Sequence, residues 1–253
     1  MRKGWMKLRK IQKERSGTTL VETMVTLLLI SIMMAMTAAS LSAASRIFVR
    51  VQKTQYAQSI LDTAMTELRD ITQDAVGYVK VYPAGANNNY AGVTGAESGT
   101  TLEFLNAEGY VVLVSTDGCD ATQIYIGDKR TGLVEAVEKG QLLTRYYFRN
   151  SDTKRYTYQK SGNTPVARAV ATVFAKGFYM GNYLEVEYTV PARDAKNKIN
   201  NIVAKVTLYS DKEHTNVVAT DSETLEFRRP MAYRTIETAT TEQETADTPA
   251  DTN

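Results

Sequence analysis

The reading of this chain turns on residues 16–46, SGTTLVETMVTLLLISIMMAMTAASLSAASR. Between Glu22 and Arg46 stand 23 consecutive uncharged residues, strongly apolar over the first two-thirds and rich in Ala, Ser and Thr over the last third. As a helix they reach roughly 34 Å at about 1.5 Å per residue, close to the hydrocarbon thickness of a bilayer. Upstream, residues 1–17 (MRKGWMKLRKIQKERSG) carry seven Lys or Arg against Glu14, a net of +6. The whole chain has +2, so the other 236 residues hold −4. A basic start before an apolar run stays on the cytoplasmic side, which places everything after Arg46 outside a single-pass membrane anchor. The basic charge is confined to a terminus instead of a folded face, so no nucleic-acid contact is expected.

Two readings compete for the apolar run. An ordinary secretory signal also has a basic start, an apolar core and small residues at a cleavage site; Ser42 and Ala44 would supply that site, with cutting before Ser45. Against it stand the long leader and Glu22, a carboxylate just inside the apolar run. An ionisable group within a membrane costs a few kcal/mol and calls for a partner, unless Glu22 lies at headgroup level.

The string Ser16-Gly17-Thr18-Thr19-Leu20-Val21-Glu22, followed at once by the apolar run, resembles the cleavage and methylation signal of type IV prepilins and pseudopilins. The resemblance covers roughly residues 10–45 in detail and the whole architecture more loosely. It implies that a prepilin peptidase cuts between Gly17 and Thr18 on the cytoplasmic side and that Thr18 becomes the N-methylated terminus. Thr19, Leu20 and Val21 complete the recognition motif, and Glu22 becomes the fifth residue of the mature chain, paired with an N-terminal amine in a filament. The chemistry is coherent, because cleavage creates a positive amine at the bilayer edge near a carboxylate that needs one. Thr18 departs from the family pattern, which most often has Phe there.

Beyond Arg46 the helical pattern continues. Ile47, Val51, Ala57, Ile60, Leu61, Ala64, Met65, Leu68, Ile71 and Ala75 recur at spacings of three and four, with Asp62, Glu67, Arg69, Asp70 and Asp74 mostly off that face. No Pro or Gly falls between Gly17 and Gly77. This predicts one helix of nearly sixty residues, transmembrane over 18–45 and amphipathic over 46–76; a membrane helix and a core helix joined by a bend is the other reading. From Gly77 the period changes to two, and strands are expected at 78–82, 102–106, 109–115, 123–126, 142–148, 169–174, 183–190, 202–209 and 224–228. Residues 83–100 read as a turn-rich loop, and 127–140 as a turn or a short helix. The expected fold class is therefore α+β: a long helix laid on an antiparallel β-sheet headgroup over 77–234, the pilin-like arrangement. The terminal stretch 235–253 has five acidic residues, no Lys or Arg and almost nothing large and apolar, so it is expected to be a disordered tail.

Composition narrows the chemistry. Cys119 is the only cysteine and His214 the only histidine, which rules out an intramolecular disulfide and a thiolate or imidazole zinc site. An exported enzyme or binding protein on an ordinary signal peptide or uncleaved anchor would have to work through carboxylates such as Asp117, Asp120 and Asp128, which stand among turn residues. A calcium site at Asp117-Gly118-Cys119-Asp120 lacks enough oxygen ligands nearby. Cys119 reads as a small, partly buried residue, His214 as an exposed turn residue, and most of the fifteen tyrosines as half-buried strand positions. No metal or cofactor is expected.

Many major pilins carry a helix-kinking proline and a C-terminal disulfide; this chain has no proline before Pro83. Residues 61–75 resemble the matching stretch of J-type minor pseudopilins, and 202–228 do so loosely. The resemblance implies a non-enzymatic structural subunit, a minor, initiating or tip component of a type IV pilus-like or type II secretion-like filament. The partners it implies are the prepilin peptidase, the membrane, other pilin or pseudopilin subunits and, indirectly, an assembly platform and ATPase.

Overall fold

A computed structural model of the chain describes residues 20–84, 95–126, 129–149, 160–161 and 164–234. The chain divides into two compact units, one through Lys53 and one from Thr54 onward.

In the first unit the described residues belong to helix α1 (Leu20–Gln73). Every residue from Leu20 to Val51 is exposed, although the stretch is made largely of Leu, Ile, Met and Val. Several of its hydroxyls bond within the helix: Thr23 donates to the Leu20 carbonyl at 2.9 Å, Ser31 to Leu27 at 2.8 Å and Ser40 to Met36 at 3.0 Å. Such back-bonding lets Ser and Thr enter hydrocarbon without an unsatisfied donor. Helix α1 is long and apolar enough to cross a membrane.

The second unit contains the last part of α1 and a large mixed sheet. Ala57, Ile60, Leu61, Ala64, Met65 and Leu68 are buried along one face of the helix, as their spacing predicts. The strands are β1 (Ala75–Tyr82), β2 (Ser98–Gly99), β3 (Thr101–Asn106), β4 (Tyr110–Ser115), β5 (Thr122–Ile126), β6 (Lys129–Val134), β7 (Leu143–Phe148), β8 (Lys160–Ser161), β9 (Thr164–Pro165), β10 (Ala167–Thr172), β11 (Tyr183–Thr189), β12 (Lys198–Tyr209) and β13 (Val217–Tyr233). Among the described residues eleven of them form one sheet in the order β2-β11-β12-β13-β1-β3-β4-β7-β10-β5-β6, and β8 pairs with β9 alone. The buried helix face shares a core with Val79, Val81, Leu102, Phe104, Ile202, Val206 and Leu225. A second cluster, built on Tyr78, Tyr82, Leu105, Val111, Leu113 and Tyr147, forms without the helix.

The sheet corrects the antiparallel expectation. Most neighbours are antiparallel, but β1 runs parallel to β13 (Tyr78↔Ala232, Val79↔Tyr233) and β10 parallel to β5 (Ala167↔Ile124). Strand direction leaves no trace in a period-two pattern. It follows from which distant segments are brought side by side, here the first long strand and the last.

Three boundaries also differ from expectation. The helix stops at Gln73, and Ala75 already pairs with Asn106. The register of that pairing shifts between Val76 and Val79, and Gly77 in the shift has φ +82°, a conformation that suits glycine. The undecided stretch 127–140 contains strand β6, paired with β5. The last two strands are longer than their apolar cores, because β12 and β13 continue pairing through polar residues, Thr207↔Thr220 and Lys205↔Ser222 among them. The expected tail, 235–253, lies outside the described residues.

Candidate functional site

Of the residues singled out at the amino-terminal signal, Leu20, Val21 and Glu22 are described; Gly17, Thr18 and Thr19 lie outside the described residues. The three described residues occupy the first turn of α1, and all three are exposed. A carboxylate in the first turn is favoured by the partial positive charge of the helix amino terminus. Glu22 is the acidic residue of that turn, and the next charged residue is Arg46. The arrangement therefore places one carboxyl group near the head of an apolar helix whose residues from Leu20 to Val51 are all exposed.

Of the carboxylates weighed as catalytic groups, Asp117 is held by structural bonds. Asp117 accepts from Thr100 Oγ1 at 2.5 Å and lies 3.4 Å from Thr101 Oγ1. Burial, with the Asp117 charge as a secondary cause, pushes the Tyr188 hydroxyl well above its ordinary pKa. Asp120 is exposed, and Asp128 lies outside the described residues. Among the described residues no group of three or more His, Cys, Asp and Glu side chains gathers in a way that would hold a metal ion. Cys119 is buried, its backbone bridged to Val137 in both directions at 3.0 and 2.8 Å.

His214 corrects its expectation. Its backbone does lie in a turn, with φ +57°, but the side chain is only 6% exposed. The imidazole stacks on Tyr209 with ring centroids 4.6 Å apart and planes 10° from parallel. Its Nδ1 lies 3.3 Å from Glu185 Oε1, yet neither ring nitrogen is aligned for a hydrogen bond, so the contact is one of proximity. Lys139 Nζ stands 3.6 Å from the same oxygen. A polar residue in a polar stretch is usually solvated; here a flat ring found an aromatic neighbour to cover.

What the residue pattern did not reveal is a polar cluster inside the sheet. Lys80, Glu103 and Arg145 are buried. Tyr78 donates to Glu103 Oε1 at 2.7 Å and Tyr82 to Oε2 at 2.5 Å, and Lys80 Nζ lies 4.5 Å from the centre of the Tyr82 ring. The alternation Tyr78-Val79-Lys80-Val81-Tyr82 suggests one wet face, whereas β1, β3 and β4 are buried almost throughout. The tyrosines flanking Lys80 were the available signal, since an aromatic pair bracketing a cation shields it.

Among the described residues, clefts open on the second unit. One of about 250 Å³ is lined by Asp70 and Asp74 from the helix end and by Phe104, Asn106 and Tyr146 from the sheet. One of about 190 Å³ lies among Gly140, Lys176, Tyr179, Asn182 and Tyr183. No family model matches this chain, and no curated protein or solved structure matches it either.

Proposed function

We propose that the chain is a pilin-like structural subunit, made as a membrane-held precursor. In this reading a prepilin peptidase cuts it after Gly17, Thr18 is N-methylated, and α1 packs against the helices of other pilin or pseudopilin subunits. Glu22 pairs with an amino terminus during that packing. The product is a type IV pilus-like or type II secretion-like filament in which this chain is a minor, initiating or tip component. An assembly platform and ATPase drive its extraction from the membrane. The anchor is held in the inner membrane with the basic leader inside and the headgroup outside, and the protein performs no catalysis of its own.

The observation that carries the reading is the uncovered apolar helix with one carboxylate in its first turn, directly behind a basic leader that ends in Gly17. Apolar surface on that scale has to be covered, by lipid before assembly and by neighbouring helices after it. Glu22 then needs a positive partner, and cleavage at Gly17 makes one.

The deciding experiment is the mature amino terminus, read by mass spectrometry of the full chain expressed with and without a prepilin peptidase. A chain beginning at methylated Thr18 only when the peptidase is present supports the proposal. A chain beginning near Ser45, or left intact from Met1 beside an active peptidase, overturns it in favour of an exported enzyme or binding protein. Gly17→Val is expected to block the cut and leave the leader in place.

A further inference from the structure

Strand β6 closes one end of the large sheet: it pairs with β5 and, among the described residues, with no other strand. A sheet edge presents a row of unpaired backbone donors and acceptors, and most proteins blunt it with charge, proline or a covering element. Here Lys129, Arg130, Thr131 and Leu133 are all exposed. Leu133 is 59% exposed and Ile126, on the paired strand, is 60% exposed. These are large apolar side chains on an outer hairpin of the sheet.

The charges along this edge are arranged about its glycine. In Lys129-Arg130-Thr131-Gly132-Leu133-Val134-Glu135, Lys129 stands three residues before Gly132 and Glu135 three residues after it. Neither Lys129 nor Glu135 forms an ion pair among the described residues, and both are exposed. In an antiparallel pair of such strands centred on Gly132, Lys129 of one lies opposite Glu135 of the other, one residue beyond the end of its β6, twice by symmetry. Thr131 lies opposite Leu133 and Arg130 opposite Val134, so no like charges face each other. Opposite charges directly across an antiparallel pair stabilise it, and like charges destabilise it.

From this we infer that β6 is a self-association edge, at which a second copy of the chain pairs through its own β6, antiparallel and two-fold about Gly132, to continue the sheet across both molecules. Isologous two-fold contacts of this kind are the commonest way identical chains associate. Thr131 is the extra residue where the β5–β6 register shifts, so the ladder between copies is short, and the Lys129–Glu135 pairs and the cover of Leu133 supply much of the specificity. The inference stands apart from processing at Gly17. For an initiating subunit it would mean that the nucleus contains two copies side by side.

The test uses the full chain in detergent micelles. Gly132→Cys introduces a thiol at the two-fold axis, and the site admits it: a Cβ there meets only Ile124 side-chain atoms, at 3.6 and 3.7 Å. Opposed residues of an antiparallel pair lie within disulfide range. Oxidation is expected to join Gly132→Cys chains about tenfold faster than Thr220→Cys chains, whose thiol is exposed on β13, and faster than the wild type with its buried Cys119. Lys129→Glu should weaken association in light scattering by about tenfold, and the exchange Lys129→Glu with Glu135→Lys should restore it. Equal cross-linking rates at positions 132 and 220, or association that ignores the charge reversal and its rescue, overturn the inference and assign any self-association to the apolar helices. Because the amino-terminal readout is separate, failure of this edge leaves the processing result standing.

Discussion

Tyr78 donates its hydroxyl to Glu103 Oε1 at 2.7 Å from the neighbouring strand, with both residues buried. Glu103 stands opposite Lys80 in the register of β1 and β3, so an anion, a cation and two tyrosine hydroxyls share one face of the sheet. A hydrogen bond to a charged acceptor contributes about 1.5–3 kcal/mol, and a buried ion left without its counter-charge costs about 3–5 kcal/mol. Tyr78→Phe is therefore expected to lower the denaturant midpoint moderately. Glu103→Gln should lower it more, although the change is nearly isosteric. Equal effects would mean that the charge of Glu103 is immaterial to the cluster.

Truncations on α1 should separate its two roles. Leu68 is fully buried against the sheet, and Leu68→Ala should cost the headgroup about 2–5 kcal/mol. Leu28 is 60% exposed, so Leu28→Ala should leave headgroup unfolding unchanged. Denaturant titration of the full chain in detergent, followed by tyrosine fluorescence of the sheet, reads the difference.

The turn between β12 and β13 should respond to acid through Asp211. The Thr215 backbone amide, with the Thr215 hydroxyl and the Asn216 amide, holds its carboxyl down to about 2 from 3.8. A depressed carboxyl stabilises the turn above its unfolded value and loses that effect as pH falls through the folded one. Protection of the Thr215 and Asn216 amides, taken relative to their intrinsic exchange rates, should therefore hold above about pH 4 and fall toward pH 2. Asp211→Asn should exchange faster at neutral pH, and its difference from the wild type should close in the same window.

Alkali should act through Tyr179. Its hydroxyl oxygen accepts from the Leu142 amide at 2.8 Å, and burial raises its pKa from 10 to about 12 against the lowering effect of that bond. An acid whose pKa is raised by folding favours the folded state below its unfolded value, and the advantage drains away between pH 10 and 12. Tyr179→Phe should cost about 1–3 kcal/mol at neutral pH by orphaning the Leu142 amide. It should also flatten the stability profile between pH 10 and 12 relative to the wild type.

Reading the chain in order, the helix was the most legible element. Spacings of three and four named its buried face from Ala57 to Leu68 correctly, because burial on one side of a helix imprints its period directly on the residues. Ile47 and Val51 continue that pattern and are exposed, since period reports that a face is apolar and not what covers it. The centres of the other long strands were legible for the same reason, but β6 and the short β2, β8 and β9 were not expected as strands. The start of β13 was not legible, because there the pairing with β12 is made by backbone groups beneath Thr, Asp and Ser side chains. Among the candidate residues, the packing of His214 against Tyr209 joins two positions whose contact no local pattern encodes.

Residue order alone determined the apolar rod, its single carboxylate, the basic leader and the alternation of strands and turns, since each is a property of neighbours along the chain. Only the tertiary structure decided that β1 and β13 run parallel, that both faces of β1 are buried, that Glu103 accepts from two tyrosines, and that β6 is left at the end of the sheet. Those features depend on which distant segments meet. Local propensity and periodicity set the shape of each element, while strand partners and buried charges are selected by the free energy of the whole packed core.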